Sequence, residues 1–375
     1  MSEHDVAIVG AGPAGVAVAL SLRDRGLCPL LIDRADEVAS SWRARYDRLK
    51  LNTGRPFSHL PNRPYPKGTA MFPTRDDVVA HLERHARESG IELRLGTEVT
   101  RIDRQGTGWR LATSTGDIDA RHVVVANGNQ HTPRIPEWPG EFTGAVLHSS
   151  AYRNPGPYQA KSVLVVGSGS SGMEIAHDLA TGGAAKVWLA VRTPPNIMLR
   201  SLPGGLPGDL VSLPLYRAPV RIADAISRAA RRKNLGDLRE FGLPIPEEGV
   251  FSRVKRLDQV PSLVDMDVID AIRDGSIEVV STVESFDGGK VVLVDGSRLE
   301  AYAVILATGY LRGLEPLVGH LGVLDAKGKP VSWRVRPAAE GLRFIGYDVR
   351  PALIGYMAKQ SKRMARRIAS ELSAN

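Results

Sequence analysis

The chain has 375 residues, of which 43% are hydrophobic and 24% charged, and its formal net charge is +8 at pH 7. These values are typical of a soluble globular protein with two domains of ordinary size. No apolar stretch approaches the roughly 18 residues of a membrane span, so we expect neither a spanning helix nor membrane association.

The single cysteine, Cys28, excludes an intramolecular disulfide framework and any Cys-x-x-Cys redox pair. Cys28 begins an apolar segment and is interpreted as a small core residue. The first predicted strand starts at residue 5, which leaves no room for a signal peptide, and we expect a cytoplasmic location. The positive charges are spread out and aromatic residues make up only 6%, so no nucleic-acid partner is expected.

A glycine motif follows the first predicted strand, residues 5–9, and leads into a helix from Pro13 to about Arg25. This strand–turn–helix context makes a G-x-G-x-x-G sequence a dinucleotide-binding motif. Its first glycine permits the tight turn, its second lets the backbone approach a pyrophosphate, and its third lets helix and strand pack closely. The helix N-terminus favours the anion. The predicted pyrophosphate contacts are Gly10, Gly12, Pro13, Ala14 and Gly15.

The next predicted strand, residues 29–32, ends at Asp33. A carboxylate at this position accepts hydrogen bonds from the hydroxyls of an adenosine ribose and repels a 2′-phosphate. The first site therefore fits FAD or NAD. Asp33 is the predicted ribose contact, and Arg34 beside it is also assigned to the cofactor.

The segment up to residue 157 alternates loops with short elements. A helix is predicted near residues 76–89, with Thr74 as its N-cap. A Pro-rich loop, four strands and a Pro- and Gly-rich connection between domains complete the segment, at 55–73, 91–95, 98–103, 109–113, 121–125 and 130–157.

A second glycine motif begins about 157 residues after the first, behind the predicted strand 161–166. The following helix runs to about Leu179, and the next strand, 186–191, ends at Arg192 instead of an acid. A guanidinium pairs with a phosphate in fork geometry, and Arg200 is expected to assist. This contrast favours FAD at the first site and NADPH at the second. The NADPH pyrophosphate contacts would be Gly167, Ser168, Gly169, Ser170, Ser171 and Gly172.

The predicted fold is α/β, with two Rossmann-like dinucleotide-binding domains of the three-layer ββα type and the NADPH domain inserted into the FAD domain. Residues 215–233, within an irregular insertion, form one amphipathic basic helix that could touch a membrane, cap a substrate channel or pack on its own domain. The predicted ranges are 1–150 and 305–375 for the FAD domain, 151–304 for the NADPH domain, and 194–261 for the insertion.

Residues 142–152 match the pattern F-x-G-x-x-x-H-x-x-x-Y/F. With both glycine motifs and the Ala307-Thr308-Gly309 run, this signature resembles the class B flavin-containing monooxygenases over nearly the whole chain. Four segments resemble the YUCCA-type members of that family in particular: residues 46–51, 171–174, 291–296 and 306–310.

The resemblance implies that NADPH reduces FAD, that dioxygen adds to the reduced flavin to give a C4a-(hydro)peroxyflavin, and that this oxygen passes to a substrate. The cofactors carry this chemistry, and no metal-ligand cluster is visible or needed. The resemblance also implies catalytic roles for Asn52, beside the flavin, and for His148, which either helps to place the nicotinamide or is a structural hinge. The further cofactor contacts that it implies are Trp42, Val99, Ala126, Gly128, Ala307, Thr308 and Gly309.

The predicted partners are O2 and a small molecule, either a sulfur or nitrogen nucleophile or an α-keto acid, and a homodimer is possible. Baeyer–Villiger oxygenation of ketones is a second hypothesis, although such relatives carry Trp-Pro or Trp-Asp where this chain has Tyr152-Arg153. Paired dinucleotide motifs also fit a flavin reductase or oxidase without oxygen transfer, and a redox sensor that binds both cofactors. A reductase that relays electrons through a cysteine pair would need a second cysteine.

Overall fold

The computed structural model describes residues 4–202 and 204–374. The elements of its first part are β1 (His4–Val9), α1 (Pro13–Arg23), β2 (Leu30–Ile32), α2 (Ser40–Arg43), α3 (Arg75–Glu88), β3 (Glu92–Arg94), β4 (Val99–Gln105), β5 (Gly108–Thr113), β6 (Ile118–Val125), β7 (Thr132–Pro133) and β8 (Ala145–His148).

The middle of the chain forms β9 (Ser162–Val166), α4 (Ser170–Thr181), β10 (Lys186–Ala190), β11 (Ile197–Leu199), β12 (Ser201–Leu202), β13 (Leu206–Pro207), α5 (Asp209–Arg217), α6 (Val220–Leu235), α7 (Val250–Leu257), β14 (Ser262–Val264), α8 (Met266–Arg273), β15 (Glu278–Val280), β16 (Val283–Asp287), β17 (Lys290–Leu293), β18 (Arg298–Glu300) and β19 (Ala303–Leu306). The last part forms β20 (Tyr310–Leu311), α9 (Glu315–Val318), β21 (Leu342–Phe344) and α10 (Leu353–Ala374). Single 3₁₀ turns lie at Arg55–Phe57, Gly156–Tyr158, Arg239–Phe241 and Gly319–Leu321.

The first sheet has the strand order β3-β2-β1-β6-β5-β4, and β21 pairs in parallel with the carboxyl end of β6. Side chains alternate across β1, so Val6 and Ile8 pack in the core formed with α1, α3 and α10. Ala7 and Val9 pack in a second core, formed with β4, β5 and α9 on the opposite face. These cores on both faces make the three layers that the sequence predicts.

The second sheet repeats this plan with the parallel order β15-β10-β9-β19-β8. On one face of this sheet, β9 packs against α4 and α8. On the other face, β9 packs against the antiparallel ribbon β16-β17-β18. The second sheet is inserted in the chain between β6 and β21, which confirms the predicted fold class. The strand β8, within the range 1–150 predicted for the first domain, pairs with β19 at the edge of the second sheet.

The predicted single helix at residues 215–233 is wrong: the structure has two helices, α5 and α6, which meet at Ala218 and Pro219. Ala218 is extended, with ψ of 162°, because the ring of a following proline disfavours the helical conformation. The insertion is also less irregular than expected, since it contains α5, α6 and α7.

Two further expectations have opposite outcomes. Thr74 caps α3, and its side chain and that of Asp77 each accept the other's backbone N–H in a capping box. Cys28 is exposed instead of buried in the core. The Arg23 guanidinium donates to the Cys28 sulfur over 3.0 Å, so the thiol lies beside a surface cation.

No helix among the described residues is both long and apolar enough to cross a membrane. The helix α6 buries Ala223 and Asp224, which fits the alternative that it packs on its own domain. Its residues Ile222 and Ile226 are exposed.

One buried imidazole makes the first domain sensitive to acid. His81 on α3 is 3% exposed, and its ring stacks on Tyr65 with 4.2 Å between centroids. Neither ring nitrogen has a hydrogen-bond partner within the described part of the chain. Burial, assisted by the nearby charges of His85 and Arg84, lowers the pKa of His81 to about 4.

We expect His81 to destabilise the folded chain increasingly as pH falls from about 6.5 towards 4, since the unfolded imidazole takes up a proton first. The variant His81→Phe keeps a ring on Tyr65 but cannot take up a proton. Urea unfolding at about pH 7 and about pH 5 should show that the free energy of unfolding falls by roughly 1–2 kcal/mol less in this variant than in the wild type. Equal losses in the two proteins would contradict a neutral buried His81.

Candidate functional site

The first glycine turn is closed by the loop that follows β6. Gly10 has a φ of +108°, and a Cβ on it would lie 2.7 Å from the carbonyl oxygen of Ala126. A Cβ on Gly15 would overlap the carbonyl oxygen of Gly10. In contrast, a Cβ on Gly12 would meet no atom of the described residues within 4 Å. The turn is therefore closely packed at Gly10 and Gly15 and open at Gly12, the glycine that a pyrophosphate approaches.

The second glycine turn repeats this geometry. Gly167 has a φ of +115°, and its Cβ would lie 2.5 Å from the carbonyl oxygen of Ala307. A Cβ on Gly172 would overlap the carbonyl oxygen of Gly167, whereas one on Gly169 would again enter space free of described atoms. Ala126 and Ala307, both predicted cofactor contacts, thus occupy equivalent positions beside the two turns.

The remaining predicted pyrophosphate contacts differ between the two turns in the hydrogen bonds that they make. Pro13 and Ala14 begin α1 directly after the open Gly12. At the second turn, the Ser170 hydroxyl accepts from the backbone N–H of Leu263 over 2.8 Å. The Ser168 carbonyl accepts from the Ser262 hydroxyl over 2.7 Å. The strand β14 therefore supports the second turn, and Ser171 continues the first turn of α4.

Asp33 lies at the end of β2 and is tied to the first glycine turn. One carboxylate oxygen accepts from the backbone N–H of Ala11 over 2.6 Å, and the other accepts from that of Ala35 over 3.0 Å. These bonds fix the carboxylate at the carboxyl edge of the sheet, where each oxygen keeps a further lone pair for a ribose hydroxyl. Arg34 beside it is exposed.

The other predicted contacts of the first domain surround the same edge. Trp42, on α2, is partly buried against the core, and the backbone N–H of Ala39 before α2 donates to Ala11 over 3.1 Å. Val99 begins β4. Gly128 has a φ of +84°, and Gly309 after β19 has the nearly equal value of +86°. Thr308, between Ala307 and Gly309, donates its hydroxyl to the Arg134 carbonyl.

The two arginines assigned to the 2′-phosphate lie in different environments. Arg192, just beyond β10, is exposed, and no carboxylate among residues 4–202 and 204–374 is within ion-pair distance of it. Arg200 is only 4% exposed. Its guanidinium pairs with Glu174 and with Asp265, the latter over 2.8 Å. Arg200 therefore has partners other than the phosphate predicted for it, and burial lowers its pKa.

Arg200 instead connects the two domains through Asn52. Its Nε donates to the Asn52 side-chain oxygen over 3.1 Å, so the Asn52 amide group keeps its two N–H donors for another partner. Glu174 in turn accepts from the hydroxyl of Tyr46. Burial raises the pKa of Tyr46, which keeps this hydroxyl protonated and able to donate.

A second set of contacts is made by the next turn of α4. Asp178, one turn after Glu174 on α4, accepts from the Tyr152 hydroxyl over 2.8 Å and from Arg48 over 3.3 Å. Two segments selected from the sequence for their YUCCA-type resemblance, 46–51 and 171–174, contact each other through Tyr46 and Glu174. Sequence analysis did not identify Asp178, because its burial and its partners depend on residues that are distant in the chain.

His148 ends β8, and both of its ring nitrogens have protein partners. The backbone N–H of Ser150 donates to Nδ1 over 3.2 Å, so Nδ1 is the acceptor and the proton lies on Nε2. That Nε2–H donates to the Gly309 carbonyl over 3.0 Å, and burial lowers the pKa of the ring. This contact ties β8 to the loop after β19. Whether His148 helps to place the nicotinamide or acts as a structural hinge stays a prediction.

The remaining signature residues pack the same strand. Phe142 lies against Phe286 with 5.3 Å between ring centroids. A Cβ on Gly144 would lie 2.6 Å from the Phe142 ring and 2.7 Å from the Tyr302 carbonyl oxygen. The phenylalanine and glycine of the signature are therefore explained by packing at β8.

The residues present fit both dinucleotides. In each glycine turn the first and third glycines are closely packed. The middle glycine, Gly12 or Gly169, has no described atom near its Cβ position and lies just before a helix N-terminus. A fixed carboxylate, Asp33, follows the first turn, and an exposed guanidinium, Arg192, follows the second. No group of three or more His, Cys, Asp or Glu in the described ranges is arranged to hold a metal ion.

Valine substitutions at the two open glycines should separate the cofactors. Both residues have ordinary negative φ values, −82° for Gly12 and −72° for Gly169, so a valine can be accommodated by the backbone but fills the ligand space. We expect Gly12→Val to purify without FAD, and Gly169→Val to retain FAD and lose NADP⁺ binding. Flavin absorbance and calorimetry measure the two quantities, and loss of FAD from Gly169→Val alone would reverse the assignment.

Removing the exposed guanidinium should change nucleotide choice. Arg192→Ala should weaken NADPH binding by about 1.5–3 kcal/mol, because it removes a charge-assisted contact with the 2′-phosphate. It should leave NADH binding nearly unchanged. Kd values for both nucleotides check this, with Arg228→Ala on the exposed side of α6 as the matched control. An equal loss for NADPH and NADH would mean that Arg192 does not contact the 2′-phosphate.

The sequence and the structure both resemble known flavoproteins. The family model described as pyridine nucleotide-disulphide oxidoreductase matches residues 7–198. Rice (Oryza sativa subsp. japonica) indole-3-pyruvate monooxygenase YUCCA1 is 34% identical over 359 residues, which cover 92% of this chain and 87% of that protein. The probable indole-3-pyruvate monooxygenase YUCCA3 of Arabidopsis thaliana is 36% identical over 317 residues, covering 81% and 72%.

Among solved structures, a flavin-containing monooxygenase from Stenotrophomonas maltophilia superposes with a TM-score of 0.75. Its sequence is 21% identical, and the alignment covers 99% of this chain and 100% of that one. At this level of identity the likeness concerns the fold, and it extends over both sheets.

Proposed function

This chain belongs to the class B flavin-containing monooxygenases, as a YUCCA-like member of the pyridine nucleotide-disulphide oxidoreductases, and from that premise we propose that it oxygenates an α-keto acid. It is an FAD- and NADPH-dependent monooxygenase. When bound, NADPH supplies the reducing equivalents and FAD the activation of dioxygen.

The observation that carries the proposal is the contact between the two YUCCA-like segments. Tyr46 of one segment donates to Glu174 of the other, and Arg48 donates to Asp178, which lies beyond the second segment on α4. The likeness to the plant indole-3-pyruvate monooxygenases therefore includes residues that join the two domains, in addition to the glycine turns that any such flavoprotein needs. This supports a substrate of the same chemical class, an α-keto acid.

In the proposed reaction, the α-keto acid loses its carboxyl group as CO2. The bond between the carbonyl carbon and the carboxylate carbon breaks, and one atom of O2 ends in the new carboxylate on the former carbonyl carbon. The other atom leaves as water, with one hydride from NADPH and one proton from solvent. The keto acid is oxidised, and NADPH and the keto acid together reduce one O2.

We assign the protein's part in this reaction to binding and orientation. Gly12 and Gly169 admit the two pyrophosphates, Asp33 holds a ribose, and Arg192 pairs with the 2′-phosphate. Arg200 holds the Asn52 side-chain oxygen, so that the Asn52 amide hydrogens point to other partners. His148 keeps its proton on Nε2 and anchors the Gly309 carbonyl, and it needs no proton transfer for that role.

Product analysis with the purified, FAD-loaded chain tests the proposal. Phenylpyruvate and indole-3-pyruvate should each increase NADPH consumption in air and yield the acid with one carbon fewer, in a ratio near one product per NADPH. A thioether, a tertiary amine and cyclohexanone are the comparison substrates. The same mixtures without oxygen are the controls and should form no product.

A different product would overturn the proposed substrate. A sulfoxide, an N-oxide or a lactone formed while both keto acids stay unchanged would indicate another substrate class for the same monooxygenase. NADPH consumption that yields only hydrogen peroxide with every compound would indicate an oxidase. The cytoplasmic location, the homodimer and the absence of a nucleic-acid partner stay predictions.

A further inference from the structure

The loop between β21 and α10, residues 345–352, lies against the first glycine turn. A Cβ on Gly346 would be 3.4 Å from the Cβ of Ala14, and the Tyr347 hydroxyl donates to the Asn127 side chain. The loop therefore lies at the carboxyl edge of the first sheet, beside the site assigned to FAD.

The helix α5 of the insertion bridges this loop and the segment that contains Asn52. Asp209, which is 6% exposed, accepts from the backbone N–H of Gly54 over 2.8 Å. Seven residues later, the Tyr216 hydroxyl donates to the Val349 carbonyl over 3.3 Å. The insertion thus contacts the first domain at two points, near Gly54 and at Val349 in the loop 345–352.

Arg350 lies under this cover with a guanidinium held by aromatic rings. Its central carbon is 3.7 Å from the ring centroid of Tyr356 on α10 and 5.2 Å from that of Tyr216 on α5. Its hydrogen bond to the Pro351 carbonyl is long, at 3.4 Å, and uses Nε. The two terminal nitrogens of the guanidinium have no hydrogen-bond partner in the described ranges 4–202 and 204–374.

The charges around Arg350 leave an excess of positive charge. The neighbouring carboxylate, Asp348, is 7% exposed and accepts from Arg334 over 3.1 Å. No carboxylate of the described chain lies within ion-pair distance of Arg350 itself. The nearby carboxylate is therefore paired with Arg334 and not with Arg350. A partly buried cation with free donors is a strong binder of an anion.

We propose that Arg350 binds the carboxylate of the α-keto acid substrate, with Tyr216 and Tyr356 holding the guanidinium flat so that its free edge faces the ligand. This inference rests on the proposed function, because a neutral thioether or an amine has no use for such a cation. In this proposal, substrate selection depends on Arg350 from the loop 345–352 and on the Tyr216 ring from the insertion. Neither residue belongs to the glycine motifs.

The test compares Arg350→Gln, Arg350→Lys and, as matched control, Arg228→Gln on the exposed side of α6. The first readout is binding of phenylpropionate, an aromatic carboxylate without a keto group, measured from perturbation of the bound flavin spectrum. Arg350→Gln should raise its Kd about tenfold to a hundredfold, Arg350→Lys should raise it less, and Arg228→Gln should leave it unchanged.

The second readout is steady-state turnover of phenylpyruvate. Arg350→Gln should raise KM by a similar factor and change kcat much less, because the contact is made in the bound substrate as well as in the transition state. FAD content equal to that of wild type shows that each variant is folded. A wild-type Kd for phenylpropionate in Arg350→Gln would overturn the inference.

The two hypotheses fail in different ways. If the wild-type enzyme converts phenylpyruvate and Arg350→Gln does so with an unchanged KM, the inference fails and the proposed function stands. If the wild-type enzyme converts no α-keto acid, the proposed function fails, and loss of phenylpropionate binding in Arg350→Gln would still support a carboxylate site.

Discussion

The structure depends on a close approach that occurs twice. In each sheet the central strand enters a turn whose first glycine lies under the carbonyl of an alanine from the adjacent strand's loop, Ala126 or Ala307. Because a Cβ at that glycine would overlap backbone atoms, the helix can begin close to the strand only if the residue is glycine. The open second glycine and the free helix N-terminus follow from this packing. Both dinucleotide sites therefore result from the same steric constraint.

The polar contacts between the domains are the second requirement. Tyr46 and Arg48 reach across to α4, and buried Arg200 is neutralised by Glu174 and Asp265. Removing one partner of such a buried pair typically costs about 3–5 kcal/mol, because the remaining charge stays in the low-dielectric interior. The network therefore holds the two sheets in one arrangement. That arrangement sets how a nicotinamide meets a flavin, which is the geometry that hydride transfer needs.

The sequence was sufficient where short-range pattern decides the structure. The glycine turns, Asp33, Arg192 and the cap at Thr74 depend on neighbours within a few residues, and the structure has them at the expected elements. It was insufficient where distant residues decide. Arg200 looks like a second phosphate ligand in the sequence, but carboxylates from α4 and from the segment before α8 surround it. Cys28 begins an apolar segment, yet it lies at the surface just before β2 begins.

The helix break before Pro219 shows a different kind of error, because the periodic pattern continued past a residue that a proline forces out of the helix. Arg350 could not be found from sequence, since its environment comes from α5, more than a hundred residues earlier, and from α10. Asn52 and His148 were predicted from the sequence only in part. The family resemblance identified them, but only the structure shows that the first is oriented by Arg200 and the second by Ser150 and Gly309.

On this structure, one chain holds two different dinucleotides and passes electrons from the second to the first. Anaerobic titration of the purified protein with NADPH, followed through the absorbance of bound oxidised flavin, tests it most directly. We expect one FAD per chain, which is bleached completely by one equivalent of NADPH and much more slowly by NADH. A protein that carries no flavin, or a flavin that keeps its absorbance under excess NADPH, would contradict it.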